Sequence, residues 1–483
     1  MTTLVHKTAT AVKWSALDVF VRHGMQFAVT IVLARILAPE DFGIIAILML
    51  FIGVAGVFID GGFSSALVQR QSTTHADEST AFFFNLAMGT VSGIMLCVAA
   101  PWIAEFFTQP VLRSLSYVMA FNLFVGSLGA IHTALLTKEM NFKVTAKVGT
   151  VSSVVGGCLA IFMAHQGYGV WSLVGHTVAS GIVTTVLLWL WHPWRPGWSF
   201  SVASLRSLFR FGGYEMASTL LDVFYSNLYS VLIGKMYSVR DVGLFARARN
   251  TQLMPVTLML SIVQRVTYSA FSSVAEDKAR LVRGLQQAQA VAMFINAPVM
   301  VSVIVLAEPL VLTLFGEQWR PCVPMLQVLG LGGILWPLSI LNLNVLRAQG
   351  HAGLRFRIEV IKKGVAIVLT VAASYYGIMA IAWAQVAVSV CTYSVNTYYT
   401  RVLLTYSGLR QLRDLMMNFV AVIPMAAVVY LMADLMQTLP VIELFAAGTI
   451  GCVVYLLTCR WLCAGLLTES LVLAGMRARP VQT

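Results

Sequence analysis

The sequence predicts an all-α polytopic membrane protein with about 14 transmembrane helices. Its 483 residues are 58% hydrophobic and only 11% charged, about half the charged fraction of a typical soluble domain. The mean hydropathy is +0.81. Apolar runs long enough to cross a bilayer follow one another along the whole chain. Because no break sets off a soluble domain, we expect the whole chain to be a membrane domain.

Fourteen segments have the length and apolarity of a membrane span. They lie near 12–37, 42–69, 78–104, 111–136, 144–165, 168–191, 207–236, 241–271, 282–315, 322–346, 355–376, 378–403, 415–434 and 441–465. The first span is too long and too charged for a signal-peptide core, so we expect it to remain in the mature protein. Kinks are expected at Gly61-Gly62, Pro255, Pro298, Pro324 and Pro337.

The basic residues are distributed unevenly between the two sides of the predicted membrane domain. With the N-terminus inside, 24 of the 32 Lys and Arg residues, including Lys362 and Lys363, fall on the cytoplasmic side and five on the outer side. This asymmetry is the positive-inside rule, and it predicts that both termini are cytoplasmic. The net charge of +12 therefore reflects the orientation of the chain in the membrane, and we expect no nucleic-acid partner.

The seven cysteines are odd in number and lie mostly inside apolar stretches. They have neither a disulfide pattern nor metal-ligand spacing. We expect no metal site and no bound cofactor.

An internal repeat divides the chain. Residues 33–43, LARILAPEDFG, return 200 residues later as LIGKMYSVRDVG at 232–243, with Arg35, Asp41 and Gly43 in register with Lys235, Asp241 and Gly243. The repeat unit is six spans, and repeats of this kind are typical of alternating-access transporters. We therefore expect two pseudo-symmetric six-helix lobes, 1–206 and 207–405, around a central cavity, with an appended helix pair and cytoplasmic tail at 406–483.

Short motifs at the ends of the spans point to a family. They are VKWSA at 12–16, the repeat motif at 33–43, SSALVQR at 64–70, LLTKEMNF at 135–142, FRFG at 209–212 and FGEQW at 315–319. In their order and spacing the chain resembles the Wzx-like polysaccharide transporters, especially colanic-acid exporters, of the multidrug/oligosaccharidyl-lipid/polysaccharide flippase superfamily. The resemblance covers nearly the whole chain and is weakest over the last two helices.

The resemblance implies a function, a substrate and a location. It implies a flippase in the bacterial inner membrane that exports undecaprenyl-diphosphate-linked oligosaccharide units by alternating access, for exopolysaccharide or lipopolysaccharide synthesis. Membrane lipids, a polysaccharide polymerase and a chain-length regulator are the expected partners.

Cations inside the spans are the predicted ligands of the lipid head group. The two phosphate charges must cross ~30 Å of hydrocarbon, and the arginine fork matches phosphate oxygens. Arg22 lies about midway along span 1 and is the leading candidate. Arg247 and Arg249 lie on the outer third of span 8, and Arg265 lies near its inner end. These four arginines form the predicted diphosphate site.

Each arginine also has a second interpretation. Arg22 follows Asp18 by one turn, so the two can form an ion pair within the helix. Arg265 can extend to the inner head groups. One of Arg247 and Arg249 can be an outer-leaflet anchor, because residues two apart point to different faces.

Four acids are predicted to couple an ion or to pair with these cations: Asp222, Glu215, Asp18 and Asp60. Asp222 is the repeat-mate of Arg22, and it shares a helix face with Glu215. An intramembrane carboxylate can couple a proton or sodium gradient to transport, whereas an ion pair with Arg22 would make Asp222 structural. Asp60 precedes a glycine pair and can instead mark a helix break.

Two other functions compete with export of lipid-linked sugars. A multidrug or peptidoglycan-precursor exporter of the same superfamily is the alternative transporter. A membrane glycosyltransferase, ligase or polymerase is disfavoured because the outer loops are only a few residues long and the sequence has no nucleophile–base pattern or phosphate-binding glycine loop. We therefore expect a protein that is not an enzyme.

Overall fold

The computed structural model describes residues 24–70, 72–274, 277–349, 352–436 and 440–462. All regular secondary structure in these ranges is helical, which confirms the all-α fold class. The packing of the helices divides the chain into two compact units, Met1–Ala246 and Arg247–Thr483. This division follows packing, whereas the predicted lobes follow the sequence repeat, and the lobe boundaries stay a prediction.

Unit 1 contains eight helices and the start of a ninth. They are α1 (Gly24–Ile36), α2 (Pro39–Asp60), α3 (Phe63–Gln69), α4 (His75–Phe106), α5 (Val111–Lys138), α6 (Phe142–His165), α7 (Val170–Trp191), α8 (Val202–Met236) and the first turns of α9 (Val239–Ser273). In this unit α4 packs against α5, α6 and α5 pack against α7, and α2 packs against α8.

Unit 2 contains the remaining helices. They are the rest of α9, α10 (Lys278–Val305), α11 (Ala307–Leu314), a 3-10 helix (Glu317–Cys322), α12 (Val323–Ala348), α13 (Ala352–Ser374), α14 (Ile378–Leu404), α15 (Gly408–Asp414), α16 (Met416–Met436) and α17 (Pro440–Leu462). Helix α12 packs against both α10 and α14, and α13 packs against α14.

Among the described residues, eleven helices are long and apolar enough to cross a membrane. Helices α1, α9 and α13 coincide with predicted spans 1, 8 and 11. The described part of α1 is short, and α9 and α13 carry several charged side chains. The chain is thus a multi-pass membrane protein, while the count of fourteen spans stays a prediction.

Two predicted spans are each made of two helices. Span 2 is interrupted at Gly61 and Gly62, which have φ angles of 56° and 74°, a left-handed conformation that glycine adopts without a Cβ clash. This break confirms the expected kink. Span 9 is interrupted at Leu306 instead of at Pro298. Pro309 lies four residues after Val305 and has no N–H to donate to the Val305 carbonyl. The series of helical backbone hydrogen bonds in α10 therefore ends at this point.

The other expected proline kinks fall within or at the start of continuous helices. Pro255, Pro298 and Pro337 lie inside α9, α10 and α12. Pro324 lies in the first turn of α12, where a missing N–H leaves no intrahelical bond unmade. None of these prolines ends its helix.

The segment 192–201, which joins α7 to α8, is fastened to the start of α4. The Ser79 hydroxyl accepts a hydrogen bond from the Gly197 N–H at 3.0 Å, and the Thr80 hydroxyl accepts one from the Ser201 N–H at 3.0 Å. The connection between the two predicted lobes is therefore an ordered part of unit 1.

The predicted appended helix pair, α16 and α17, packs against other helices of unit 2. Met293 of α10, Leu338 of α12, Met425 of α16 and Tyr455 of α17 share one buried cluster. The Tyr455 hydroxyl donates to the Phe294 carbonyl at 2.8 Å. The C-terminal pair is thus bonded to α10 as well as packed on it.

A buried amide network joins α15 to α10 and α12. The Gln411 carbonyl oxygen accepts from Gln289 at 2.8 Å and from Asn342 at 2.9 Å, and the Gln411 amide donates back to Asn342 at 3.0 Å. All three side chains are buried. Beside the network, burial and a hydrogen bond from its hydroxyl to Asp414 raise the pKa of Tyr406 above its usual range. Tyr406 therefore serves as a neutral hydrogen-bond donor.

Candidate functional site

Arg247 is buried between two aromatic rings of unit 2. Its guanidinium carbon lies 4.7 Å from the ring centroid of Phe315 and 4.9 Å from that of Trp319. Both rings are fully buried, and Gly316, with a φ of 97°, makes the turn between them. Arginine stacks on aromatic faces by cation–π attraction. The FGEQW motif therefore forms a cage for Arg247, and head-group binding by Arg247 stays a prediction.

The other three predicted arginines have different positions. Arg249 is half-buried, whereas Arg247 is buried. The two side chains therefore differ in environment, as expected for residues two apart on a helix. Arg22 lies outside the described residues, and so does the side chain of Arg265. Their predicted roles are unchanged.

The four predicted acids also differ in position. Glu215 and Asp222 are exposed side chains of α8, and a separation of seven residues places them on one helix face. Asp18 lies outside the described residues. Asp60 accepts hydrogen bonds from the Gly62 N–H at 3.1 Å and from the Ser64 hydroxyl. These bonds bridge the break between α2 and α3, as the helix-break interpretation of Asp60 expects.

The repeat motif forms a close helix crossing within unit 1. A methyl group on Gly43 would overlap the backbone carbonyl of Val239, and one on Gly243 would overlap the carbonyl of Pro39. Position 43 is the repeat-mate of 243, and 39 is the repeat-mate of 239. The first turns of α2 and α9 therefore meet in a pseudo-two-fold contact that both glycines make possible.

The same repeat motif supplies the charges around this crossing. Glu40 and Arg240, also repeat-mates, form an ion pair with 3.6 Å between Oε1 and Nε. Asp41 accepts from the Ala38 N–H at 3.1 Å, and the side chain of Asp241 accepts from the Ser238 hydroxyl at 2.6 Å. Each aspartate thus stabilises the N-terminus of its own helix. We define the outer crossing, named for the side on which the charge asymmetry predicts it, as residues 39–43 with 239–243.

A charged cluster in the middle of α13 was not among the predicted site residues. Lys362 Nζ lies 2.6 Å from Glu359 Oε1 and 3.2 Å from Asn396 Oδ1 of α14. In the sequence Lys362 is one of two adjacent lysines, which the charge asymmetry assigns to the cytoplasmic side. An i,i+3 acid–base pair inside a span was the signal that pointed to a buried ion pair.

The helical arrangement matches a known transporter fold. The lipid II flippase MurJ, solved in an inward closed conformation, superposes with a TM-score of 0.78 over 94% of this chain and 99% of that chain, at 15% sequence identity. The chain therefore has the multi-span helical fold of that protein.

Sequence comparison identifies the family to which the chain belongs. Residues 32–324 match the model of the polysaccharide biosynthesis protein family, and the chain belongs to that family. It is 29% identical over 93% of its length to the succinoglycan biosynthesis transport protein ExoT of Rhizobium meliloti, covering 92% of that protein. It is 25% identical to the lipopolysaccharide biosynthesis protein WzxC of Escherichia coli, covering 74% of this chain and 73% of the relative. The family resemblance of the span-end motifs is confirmed.

Proposed function

We propose that this protein is a flippase that moves undecaprenyl-diphosphate-linked oligosaccharide units across the bacterial inner membrane for exopolysaccharide or lipopolysaccharide synthesis. The observation that carries the proposal is the match to a succinoglycan transport protein along nearly the full length of both chains. A protein of this kind transports and performs no covalent chemistry on its substrate, so we propose that it is not an enzyme.

A cationic route for the head group is the physical requirement of this function. The lipid tail can remain in hydrocarbon, whereas the diphosphate must be hydrated or paired. Arg22 and Arg265 supply such charges from inside the spans. Arg249, half-buried near the outer end of span 8, receives the head group there, and the caged Arg247 holds the neighbouring helix turn in place.

The outer crossing supports transport by alternating access. With the N-terminus inside, as proposed from the charge asymmetry, residues 39–43 and 239–243 lie at the outer membrane face. Their backbones touch at Gly43 and Gly243, and we infer that this contact closes the outward path for the substrate. A substrate can leave outward only when the two helix turns separate, and the ion pair of Glu40 with Arg240 then breaks.

The proposed transport needs an energy source and downstream partners. No nucleotide-binding loop occurs in the sequence, so we propose that a proton or sodium gradient drives it. A polymerase and a chain-length regulator on the outer side would consume the exported units.

Lipid mass spectrometry of cells that lack the gene tests the proposal. We expect an undecaprenyl-diphosphate oligosaccharide to accumulate and to disappear when the intact gene is restored. Its mass distinguishes an exopolysaccharide unit from a peptidoglycan precursor. If the assembly enzymes are active and no such lipid builds up, the proposed function is wrong.

A further inference from the structure

The segment that joins α7 to α8 has a packed side and an exposed side. On the packed side, the ring of Trp194 lies against that of His132 of α5, with 5.3 Å between the ring centroids. On the other side, Trp198 is 99% exposed, Val202 65% and Phe200 55%. Three large apolar side chains therefore project outward from a segment whose other side is packed on unit 1.

Backbone hydrogen bonds anchor the segment on both sides of the two exposed aromatic residues. The N–H groups of Gly197 and Ser201 donate to hydroxyl groups of α4, and Trp198 and Phe200 lie between these two anchors. Nearer α7, the Arg195 guanidinium donates to carbonyls of the last turn of that helix and of the segment itself. The exposed rings are thus carried by an ordered backbone.

The first turns of α8 add two arginines to the exposed side. Arg206 and Arg210 are exposed and follow Val202 at intervals of four residues, so the three share one helix face. A different face of these turns packs inward, since Leu208 is fully buried in a cluster with Leu67 of α3. Neither arginine forms an ion pair with an acid in the part of the chain that the structure describes. We define the basic-aromatic strip as Trp198, Phe200, Val202, Arg206 and Arg210.

Membrane spans flank the strip on both sides. One span, Val170–Trp191, ends shortly before it, and the next, Gly212–Met236, begins directly after it. Residues 192–211 between them contain three arginines and no Asp or Glu. The charge asymmetry predicts that this side is cytoplasmic. We therefore expect the strip to lie at the level of the inner-leaflet head groups, where exposed tryptophan and arginine side chains are favourable.

We propose that the basic-aromatic strip is a binding site for anionic phospholipids of the inner leaflet. Trp198 and Phe200 insert between lipids at the boundary of head groups and acyl chains. Arg206 and Arg210 donate to lipid phosphates, whose oxygens the guanidinium fork matches. A zwitterionic lipid would cover the apolar side chains equally well, so the two arginines make the site selective for anionic lipids. This inference goes beyond the proposed transport function and does not depend on the substrate.

A lipid surface fits the strip better than a protein partner does. Because spans end on both sides of the strip, the bilayer reaches it without any other molecule. The exposed apolar groups also form a narrow row with two cations at one end, which is the pattern of a membrane-surface segment. A protein partner would have to displace lipid from this row before it could bind.

Tryptophan quenching tests the proposal on the full chain. The protein is placed in vesicles of phosphatidylcholine and phosphatidylglycerol in equal amounts, with bromine on the acyl chains of one lipid or the other. The difference between the wild type and Trp198→Phe isolates the quenching of Trp198. We expect stronger quenching by brominated phosphatidylglycerol, and Arg206→Gln with Arg210→Gln should lower this preference several-fold. Arg113→Gln, an exposed arginine of α5, is the matched control and should keep the preference.

A second measurement keeps the proposal testable if the other tryptophans obscure the signal of Trp198. In a cysteine-free background, a nitroxide attached to Phe200→Cys should collide more often with oxygen, which concentrates in lipid, than with a water-soluble nickel chelate. The same label on Ser72→Cys, in the exposed loop before α4, is the control and should show the reverse order. Preference of the Phe200→Cys label for the nickel chelate would overturn the inference.

The quenching experiment has further outcomes that contradict the proposal. Equal quenching of Trp198 by both brominated lipids would show that the strip does not select anionic lipids. Absence of quenching by either lipid would mean that water or a protein covers Trp198. Trace undecaprenyl phosphate provides the last test. If it displaces brominated phosphatidylglycerol from Trp198, the strip is a site for the lipid carrier and the inference is wrong, while the proposed transport function stands.

Discussion

The cage around Arg247 shows how one buried cation can serve packing in a membrane transporter. The guanidinium lies within 5 Å of the centroids of both the Phe315 and Trp319 rings. The cage residues follow Arg247 by about 70 positions along the chain, so local sequence patterns cannot show that they meet. Arg247 was predicted as a site residue because it lies inside a predicted span. The structure shows the two aromatic rings that surround it.

Replacement of Arg247 tests the structural role of the cage. We expect Arg247→Leu to lower the free energy of unfolding by about 2 kcal/mol, since a desolvated cation–π contact contributes roughly that much. Arg249→Leu, two residues away and half-buried, is the control and should leave stability nearly unchanged. Thermal unfolding of the purified proteins measures both. An Arg247→Leu protein of normal stability that fails to export would instead make Arg247 a substrate ligand.

Arg22 carries the sequence-based prediction of head-group binding. We expect Arg22→Ala to abolish polymer export while the protein remains inserted at normal abundance, because a diphosphate would lose its bidentate partner inside the membrane. Polymer yield and immunoblots of membrane fractions measure the two effects. Arg113→Ala, an exposed arginine in the first turn of α5, is the control. Full export by the Arg22→Ala protein would contradict the proposed contact between Arg22 and the diphosphate.

The outer crossing is the place where the two copies of the sequence repeat contact each other. In the sequence, Arg35, Asp41 and Gly43 align with their repeat-mates 200 positions later. The structure explains two of these three matches. Aspartates 41 and 241 stabilise helix starts, and glycines 43 and 243 allow backbone contact. Sequence alone predicted the duplication, but it could not show that the two copies touch, since that contact joins residues 200 positions apart.

Fixing the outer crossing should stop transport. In a cysteine-free background that still exports polymer, Glu40→Cys with Arg240→Cys places two thiols where the ion pair was. A short bifunctional thiol reagent should then block export by holding α2 and α9 together. Each single replacement treated with the same reagent is the control. Undiminished export by the cross-linked protein would show that this contact does not open.

Added volume at the same crossing should have the opposite structural effect. Gly43→Val would place its side chain against the Val239 carbonyl, so the crossing cannot close. We expect cysteines at 40 and 240 in this variant to react with a membrane-impermeant thiol reagent several-fold faster than with glycine at 43. Gly364→Val, at a glycine with open space around it, is the control. Equal labelling rates would contradict a closed crossing.

The amide network holds α15 against α10 and α12 within unit 2. Gln411 is fully buried and bonded to both Gln289 and Asn342. We expect Gln411→Leu to lower the free energy of unfolding by about 1–3 kcal/mol, because two buried amides lose a partner. The exposed Arg410→Leu, in the same short helix, should change it little. Thermal unfolding measures the difference, and equal values would show that the network adds no stability.

At the scale of the whole molecule, hydropathy and charge asymmetry predicted the multi-pass fold because both follow directly from the bilayer. Helix breaks were predicted where glycine pairs mark them and were missed at Leu306, where the cause is the proline four residues after Val305. Lys362 was assigned to topology on charge asymmetry alone, and its contact with Asn396, 34 positions away, lies beyond local sequence patterns. The break at Leu306 has a local cause that the sequence contains, whereas contacts between helices far apart in the chain cannot be read from local patterns.

We propose that this protein carries a lipid-linked oligosaccharide from the inner to the outer leaflet. The most direct measurement is the leaflet in which that lipid lies, read by an impermeant reagent that labels the sugar on intact spheroplasts whose polymerase is inactive. With the gene present, we expect most of the lipid to be labelled from outside. Without the gene, the same lipid should be labelled only after the membrane is opened. Equal outside labelling in both strains would contradict the claim.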